Sequence, residues 1–390
     1  MKLKKMIAVL MAALTCATFM TACSSSDDSS ESDSAESATE SVEEEVNMEI
    51  RDISSWELVQ EMTIGWNLGN TMDATGSNGL DNETTWQSVK TSKEMVDLLV
   101  ETGFNVFRVP VSWGDHMDED YNVDEEWMAR VKEIVDYGID NGMFVILNTH
   151  HEEWYFPTEE NKEQDIEQLT ALWSQIAEEF KGYDEHLIFE GLNEPRCRET
   201  AIEWTGGDEE SRAIVAEYEQ AFYETVRNSG GNNAKRHLML TGYAASSTRT
   251  CLEEVWLPED DDKVIVSVHA YLPYSLALDT TGTDEWDENN TSEIDNLFIN
   301  LEDLFLQYEI PVIIGEFGTV NKDNLEDRIA CAEYYVSKGT EYGVPMIWWD
   351  NNSRVGSGEN FALMDRSLPQ EWYFPELVEA LIESAPKVTS

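Results

Sequence analysis

The chain has 390 residues, with 79 acidic and only 25 basic side chains, and its net charge is −54 at pH 7. Nucleic acid and anionic membrane surfaces are therefore poor partners, because binding either of them needs clustered Lys and Arg. A neutral polymer is compatible with such a surface. The five cysteines are too few and too scattered for a disulfide framework or a zinc site. We expect an ordinary apolar core and no cofactor.

Residues 1–23 have the pattern of a secretory signal. Three lysines among the first five residues precede an apolar run over residues 6–20, which is too short to span a bilayer. The tetrapeptide Met-Thr-Ala-Cys at 20–23 resembles a bacterial lipobox, and this predicts lipidation at Cys23 and an extracellular, cell-surface lipoprotein. Ordinary cleavage and release from the cell is the alternative.

Residues 24–49 are predicted to form a disordered, acidic, Ser-rich linker. The stretch contains no aromatic residue and neither Lys nor Arg, so it cannot bury enough apolar area to fold. Repulsion among its carboxylates should keep it extended, which suits a tether between a membrane and a folded domain. A solubilising tail without a mechanical role is the alternative. The folded domain is expected over residues 50–390.

From residue 62 onwards, apolar runs alternate with amphipathic segments. The runs that predict strands cover residues 63–66, 105–111, 143–149, 186–192, 237–242, 264–268, 311–315 and 345–349. Runs that are apolar throughout are typical of parallel strands covered on both faces. Eight such strands with helical crossovers predict an α/β fold, a single (β/α)8 barrel without internal repeats.

Helices are predicted in the segments between the strands. Thr91 and Glu94 have the spacing of a capping box, so a helix should begin there. Its inward face would carry Met95, Leu98 and Leu99. The next segment places four apolar side chains on one stripe, at Trp127, Val131, Ile134 and Val135. Later helices are predicted over residues 164–180, 209–228, 292–308, 325–342 and 373–384.

Barrel enzymes work at the carboxyl ends of their strands, and in this sequence polar residues follow all eight predicted strands. In chain order they are Asn67 and Asn70, Arg108 and Trp113, His150 and His151, Asn193 and Glu194, Tyr243, His269 and Tyr271, Glu316, and Trp349, Asp350 and Asn351. Glu194 and Glu316 each end an apolar run, where a carboxylate is costly unless it has a function. Two carboxylates at corresponding strand ends form the pair that glycoside hydrolysis requires.

The motifs around these residues match one known family. They are Gly-Trp-Asn-Leu-Gly-Asn-Thr at 65–71, Phe-Arg-Val-Pro-Val at 107–111, Asn-Thr-His-His-Glu at 148–152, Phe-Glu-Gly-Leu-Asn-Glu-Pro at 189–195, Arg227 with Gly-Gly-Asn-Asn at 230–233, Val-His-Ala-Tyr at 268–271, Gly-Glu-Phe-Gly at 315–318 and Trp-Trp-Asp-Asn at 348–351. In this order they resemble glycoside hydrolase family 5, and most of all its subfamily 4, the bacterial endo-β-glucanases and xyloglucanases. The resemblance spans residues 50 to the carboxyl terminus.

The resemblance implies a retaining mechanism with two glutamates. Glu194 would protonate the glycosidic oxygen and later activate water as a base, while Glu316 would attack the anomeric carbon. Retention requires the two carboxyl groups to lie about 5–5.5 Å apart. Arg108 would keep Glu316 ionised, and the charge of Glu316 would in turn raise the pKa of Glu194.

The family pattern also implies roles for the neighbouring side chains. Asn193 would bond the sugar 2-hydroxyl, Tyr271 would hold an oxygen of the nucleophile, and His150 and His269 would line the reacting subsite. A lone histidine at a strand end is more often a structural group. His150 and His151 could together suggest a metal, but no third ligand has a spacing that supports one.

An indole is expected under the reacting sugar, because its flat apolar face packs on pyranose C–H bonds. Trp349 is the choice, and its neighbour Trp348 would point the opposite way along the strand. Asn67 is expected among the supporting residues. Further sugar platforms are proposed at Trp113, Trp154, Trp204 and Tyr243, with core packing as the alternative for each.

Three hypotheses for the function are compared. The favoured one is a monomeric endo-β-1,4-glucanase that cuts cellulose, mixed-linkage β-glucan or xyloglucan, with a β-glucan as its only partner and a membrane reached only through the lipid at Cys23. A polysaccharidase of the same mechanism for mannan or xylan is the second. A surface glycan-binding lipoprotein without catalysis is the third, and the two intact glutamates argue against it.

Overall fold

The computed structural model describes residues 46–289 and 291–387. The predicted signal, Cys23 and most of the predicted linker lie outside these residues. Contacts with the barrel begin before the predicted boundary at residue 50, since Val46 packs against the main core. The Met48 amide donates to the Gly182 carbonyl at 2.7 Å, and Asn232 Nδ2 donates to the Met48 carbonyl at 2.9 Å.

Eight parallel strands form a closed barrel in chain order, and the eighth pairs with the first. They are β1 Ile64–Leu68, β2 Val106–Val109, β3 Phe144–Asn148, β4 Leu187–Glu190, β5 Leu238–Ser246, β6 Val264–His269, β7 Val312–Phe317 and β8 Met346–Asp350. The predicted (β/α)8 barrel is therefore confirmed, and each predicted strand overlaps an observed one. A two-stranded ribbon, Met364–Asp365 with Glu371–Trp372, follows the barrel.

Helices surround the barrel. They are α1 Ser55–Val59, α2 Lys93–Thr102, α3 Glu125–Asp140, α4 Lys162–Glu179, α5 Glu209–Asn228, α6 Arg249–Leu252, α7 Tyr274–Ala277, α8 Ser292–Leu304, α9 Leu325–Tyr342 and α10 Pro375–Ser384. The predicted apolar stripe of α3 is buried throughout. Helix α8 ends earlier than predicted, and residues 306–308 form a separate 3-10 turn.

The predicted capping box at the start of α2 is wrong. The helix begins at Lys93 after Ser92, and no side chain caps it. Thr91 is buried and its amide donates to Glu83 Oε1 at 2.6 Å, so Thr91 is bonded to an earlier turn of the chain and does not cap the helix. The inward face is as expected at Met95, which is buried.

The interior of the barrel changes character along its axis. A buried apolar layer, which includes Ile146, Ile188 and Ile313, packs against Leu58 and Val59 of α1 at the amino-terminal end. Towards the carboxyl ends the interior becomes polar. The polar end of the barrel interior therefore lies above a buried apolar layer.

The three cysteines in the described part of the chain are buried and unpaired. Among the described residues, no helix has both the length and the apolar character that crossing a bilayer would require.

Candidate active site

A fully buried arginine, Arg108 of β2, lies at the centre of the polar layer. Its Nε donates to Glu190 Oε2 at 2.8 Å. Its Nη1 donates to Asn67 Oδ1 at 2.9 Å and to Glu316 Oε1 at 2.8 Å. Its Nη2 donates to Asn193 Oδ1 at 2.7 Å. Burial lowers the pKa of Arg108, but the two carboxylates outweigh it and the net pKa is raised.

Glu190 is a site residue that the sequence analysis did not single out. It is the last residue of β4, fully buried, and it accepts from Ser267 Oγ at 2.6 Å and from Asn148 Nδ2 at 3.1 Å. Together with Arg108 it makes a buried ion pair, which fixes the guanidinium in one orientation. A charged residue inside an otherwise apolar strand was the available signal, because such a group requires a partner.

Both oxygens of the Glu316 carboxylate have partners. Oε1 is held by Arg108, and Oε2 accepts from the Tyr271 hydroxyl at 2.8 Å. His269 Nδ1 is 3.6 Å from Oε2, and His150 Nε2 is 4.0 Å from Oε1. The carboxylate is therefore fixed and aimed, as a nucleophile requires.

Glu194 lies beyond the end of β4 and meets Glu316 across the rim. One carboxylate oxygen of each residue and a ring nitrogen of His269 all lie within 4.8 Å of one another. His269 Nδ1 is 2.9 Å from Glu194 Oε1. Its Nε2 is 3.5 Å from Arg108 Nη2, which can only donate. His269 Nδ1 therefore carries a proton, which it donates to Glu194.

The pKa of Glu194 differs from the expectation. Burial raises it, but the hydrogen bond from His269 and the nearby charge of Arg196 outweigh burial, and the net pKa is lowered. The predicted direction, a pKa raised by the charge of Glu316, is wrong. The sequence did not reveal that the His269 imidazole and the Arg196 guanidinium would both lie beside the Glu194 carboxylate.

His150 and Trp349 form one wall of the site. Asn148 Nδ2 lies 3.2 Å from His150 Nδ1, so the ring proton lies on Nε2 and points towards Glu316. The His150 and Trp349 rings are parallel within 5°, with centroids 5.6 Å apart. Trp348 is fully buried, and its indole N–H bonds a backbone carbonyl at 3.0 Å. Trp349 is accordingly the indole that faces the site.

The proposed sugar platforms divide into buried and exposed ones. Trp113 is fully buried, and its indole N–H donates to a backbone carbonyl at 3.0 Å. The Tyr243 ring is 1% exposed and its hydroxyl is bonded to backbone groups. Both predictions are wrong, because these rings belong to the core. Trp154 is partly buried, whereas 63% of Trp204 is exposed.

The structure supplies a third candidate ligand beside the two adjacent histidines. Asp73 lies with His150 and His151 so that one ligand atom of each is within 4.8 Å of the others. Sequence spacing had indicated no such third group. The Asp73 carboxylate already accepts from the amides of Asn70 and Thr71 at 3.0 and 2.6 Å, and burial raises its pKa to about 6. Its oxygens therefore stabilise the turn after β1, and we do not assign a metal site to these three residues.

The family model described as Cellulase (glycosyl hydrolase family 5) matches residues 69–355 of the chain. "Endoglucanase B" of Ruminococcus albus is 56% identical over 398 residues, which cover 97% of this chain and 96% of that protein. The chain therefore belongs to glycosyl hydrolase family 5, and the resemblance read from its motifs is confirmed.

Two solved structures are similar over most of their length. The "GH5-4 broad specificity endoglucanase from Ruminococcus champanellensis with bound cellotriose" has a TM-score of 0.83 and 44% identity, covering 86% of this chain and all of that one (100%). XEG5A, described as a "GH5 xyloglucan-specific endo-beta-1,4-glucanase from metagenomic library, in complex with cellotriose", has a TM-score of 0.81 and 38% identity, covering 84% and 98%. Both support the predicted endoglucanase class.

Proposed function

We propose that the protein is a retaining endo-β-1,4-glucanase in which Glu316 is the nucleophile and Glu194 the acid and base. The spacing of the two carboxylates carries this proposal, since their oxygens lie within 4.8 Å. Retaining enzymes place the two groups about 5–5.5 Å apart, whereas inverting enzymes leave about 6.5–9.5 Å for a water molecule. The observed gap leaves no room for that water.

In the first step Glu316 attacks the anomeric carbon. The bond from that carbon to the glycosidic oxygen breaks, an ester bond to Glu316 forms, and Glu194 gives its proton to the departing oxygen. Arg108 and Tyr271 keep the attacking carboxylate in place. A bound glucan excludes water from Glu194, and this loss of solvation raises its pKa towards the value that an acid needs.

In the second step Glu194 acts as a base. The negative charge of Glu316 is lost in the ester, so a charged Glu194 meets less repulsion. It takes a proton from water, the water oxygen bonds to the anomeric carbon, and the ester bond to Glu316 breaks. His269 and Arg196 favour the ionised carboxylate, which is the form in which Glu194 begins this step.

Asn193 and Trp349 bind the reacting sugar in this proposal. The Asn193 carbonyl oxygen is occupied by Arg108, so the amide nitrogen is the end that can donate to a sugar 2-hydroxyl. Such a bond strengthens in the transition state and contributes to rate. Trp349, which is 8% exposed, would pack its indole against the pyranose C–H bonds.

The substrate class is a β-1,4-linked glucan. Relatives described as broad specificity and as xyloglucan-specific support an acceptance of cellulose-type, mixed-linkage and branched chains. Trp204 and Trp86 are 63% and 43% exposed, and Trp86 lies 5.4 Å from the His151 ring. They are the exposed aromatic platforms that we assign to sugars away from the point of cleavage.

Product stereochemistry on a polysaccharide panel tests the proposal. Purified protein is incubated with carboxymethylcellulose, lichenan, xyloglucan, mannan and xylan, and new reducing ends are followed by proton NMR. We expect β-anomers to form first on the glucans, with an early fall in viscosity that reflects internal cleavage. Initial α-anomers would contradict the nucleophilic role of Glu316. Cleavage of mannan or xylan alone would contradict the glucanase assignment.

We also propose that the enzyme is extracellular, monomeric and tethered through a lipid on Cys23. The signal pattern over residues 1–23 supports the tether. Full-length protein expressed in a bacterium should fractionate with membranes, and Cys23→Ser should abolish this. Equal membrane association of both forms would contradict the lipid anchor, and light scattering of the released domain tests the monomer.

A further inference from the structure

The loop that follows β4 folds an arginine back onto Glu194. Arg196 Nη1 donates to the Glu194 carbonyl at 2.9 Å and lies 3.4 Å from Glu194 Oε2. Its Nε donates to Glu203 Oε1 at 3.2 Å, and the guanidinium carbon lies 4.1 Å from the centroid of the Trp204 ring. The guanidinium is thus held from three sides at a short distance from the carboxylate.

We propose that Arg196 is a positioning residue that competes with the transferred proton for one oxygen of Glu194, and that Glu203 adjusts the strength of this competition. The inference rests on the proposed acid and base role of Glu194. It concerns a residue that no part of the mechanism above requires for bond making.

The two oxygens of Glu194 have different partners. Oε1 accepts the proton of His269 Nδ1 at 2.9 Å, and in this proposal the proton destined for the glycosidic oxygen is carried by Oε2. That oxygen is the one that faces Arg196. A cation at this distance favours the ionised form of a carboxylate. Arg196 therefore keeps Glu194 in the ionised form from which the base step begins, and it opposes the protonation that the acid step requires.

Several other groups act on Glu194, and the substitutions below leave their side chains unaltered. His269 comes from β6, Glu316 from β7 and His151 from the end of β3. Glu359 follows β8, and its pKa is raised by burial and by the charges of Glu194 and Glu316. Tyr271 also lies within the influence of Glu194. These groups set a background that is common to all variants below.

Glu203 allows the proposal to predict the direction of a pKa change, which a purely structural role would not predict. Its carboxylate shares Arg196 with Glu194 and so weakens the pull of Arg196 on Oε2. Removing the positive charge with Arg196→Gln should raise the pKa of Glu194. Removing the negative charge with Glu203→Gln should leave Arg196 to act on Glu194 alone and lower that pKa. The two substitutions act in opposite directions.

The pH dependence of kcat/KM on a cello-oligosaccharide is the measurement. Glu194 must hold its proton for glycosylation, so activity falls as pH rises through its pKa. We expect Arg196→Gln to move this basic limb upward by about 1 pH unit, and Glu203→Gln to move it downward. Arg196→Lys keeps the charge and should leave the limb near its original position.

Arg198→Gln is the matched control, since it removes the same charge two residues further along the loop. Arg198 donates to the carbonyls of Glu152 and Glu153 at 2.6 and 2.5 Å. The basic limb of the Arg198→Gln variant should therefore stay at its original pH. A second control uses 2,4-dinitrophenyl cellobioside, whose leaving group needs no proton. On that substrate Arg196→Gln and the unaltered enzyme should have the same kcat/KM at high pH.

An unmoved limb in Arg196→Gln, or limbs that move in the same direction in both variants, would overturn the inference. If Arg196→Gln fails to fold, Glu203→Gln alone still decides, because an unmoved or upward limb contradicts the proposal. The failure of the proposed function would look different, since the unaltered enzyme would then cleave no β-glucan at all.

Discussion

At the scale of single residues, Arg108 links the two carboxylates of the barrel interior to the sugar-binding amide. It donates to Glu190, Glu316 and Asn193 at 2.7–2.8 Å. A guanidinium can satisfy all of these because its donors diverge in one rigid plane. A lysine offers a single point charge on a flexible stem and cannot reach the three acceptors together.

Arg108→Lys should therefore lower kcat/KM on β-glucan by about 10²-fold or more, the usual cost of losing a fixed donor at a reacting group. The kinetic constants are measured together with the melting temperature. Arg236→Lys is the matched control, because Arg236 is also fully buried but bonds backbone carbonyls away from the site. It should lose stability and keep its turnover. Unchanged kcat/KM in Arg108→Lys would contradict the role given to the guanidinium.

The sequence could predict the pair Glu194 and Glu316 because each stands at the end of an apolar run. It could not predict the ionisation of Glu194. That property depends on His269 and Arg196, and the first of these is brought to Glu194 by the pairing of distant strands. Glu190 was within reach of sequence reasoning, since a buried acid in a strand needs a cation.

At the scale of elements, strands covered on both faces are continuous apolar runs, and this made all eight predictable. Helices α5 and α9 begin and end where their patterns predicted, at Glu209–Asn228 and Leu325–Tyr342. The start of α2 was not predictable from local spacing, because Thr91 is engaged by Glu83. The tryptophans in loops could not be assigned to core or surface without the packing of the elements around them.

For two of those tryptophans we expect substitution by alanine to have opposite effects on stability and glucan binding. Trp113→Ala should lower the free energy of unfolding by about 3–5 kcal/mol, because a fully buried indole leaves a cavity. Trp204→Ala should change stability by about 0.5 kcal/mol or less, as exposed substitutions do, and should weaken retardation in glucan-containing gels. Urea unfolding and affinity electrophoresis are the measurements. If glucan-containing gels retard Trp204→Ala as much as the unaltered enzyme, Trp204 is not a sugar platform.

At the scale of the whole molecule, the charge of −54 should make stability depend on salt, whereas binding of a neutral substrate should not. Repulsion among surface carboxylates destabilises the compact state, and salt screens it. Binding of an uncharged glucan involves no comparable long-range attraction.

Raising NaCl from about 0.01 M to about 0.5 M, which shortens the screening length several-fold, should raise the melting temperature. KM on lichenan or xyloglucan should change little over the same range. Calorimetry and initial rates test this, and KCl in place of NaCl is the control for a specific ion effect. A falling melting temperature, or a KM that rises steeply with salt, would contradict the account.

The account depends most directly on a covalent bond between a sugar and Glu316. Incubation with 2,4-dinitrophenyl 2-deoxy-2-fluoro-β-cellobioside should form the glycosyl-enzyme and slow its hydrolysis, and intact mass spectrometry should detect the added disaccharide. Peptide mapping should then locate it on the peptide that contains Glu316, and Glu316→Ala should acquire no label. A label on another residue of an active enzyme, or full activity in Glu316→Ala, would contradict the mechanism.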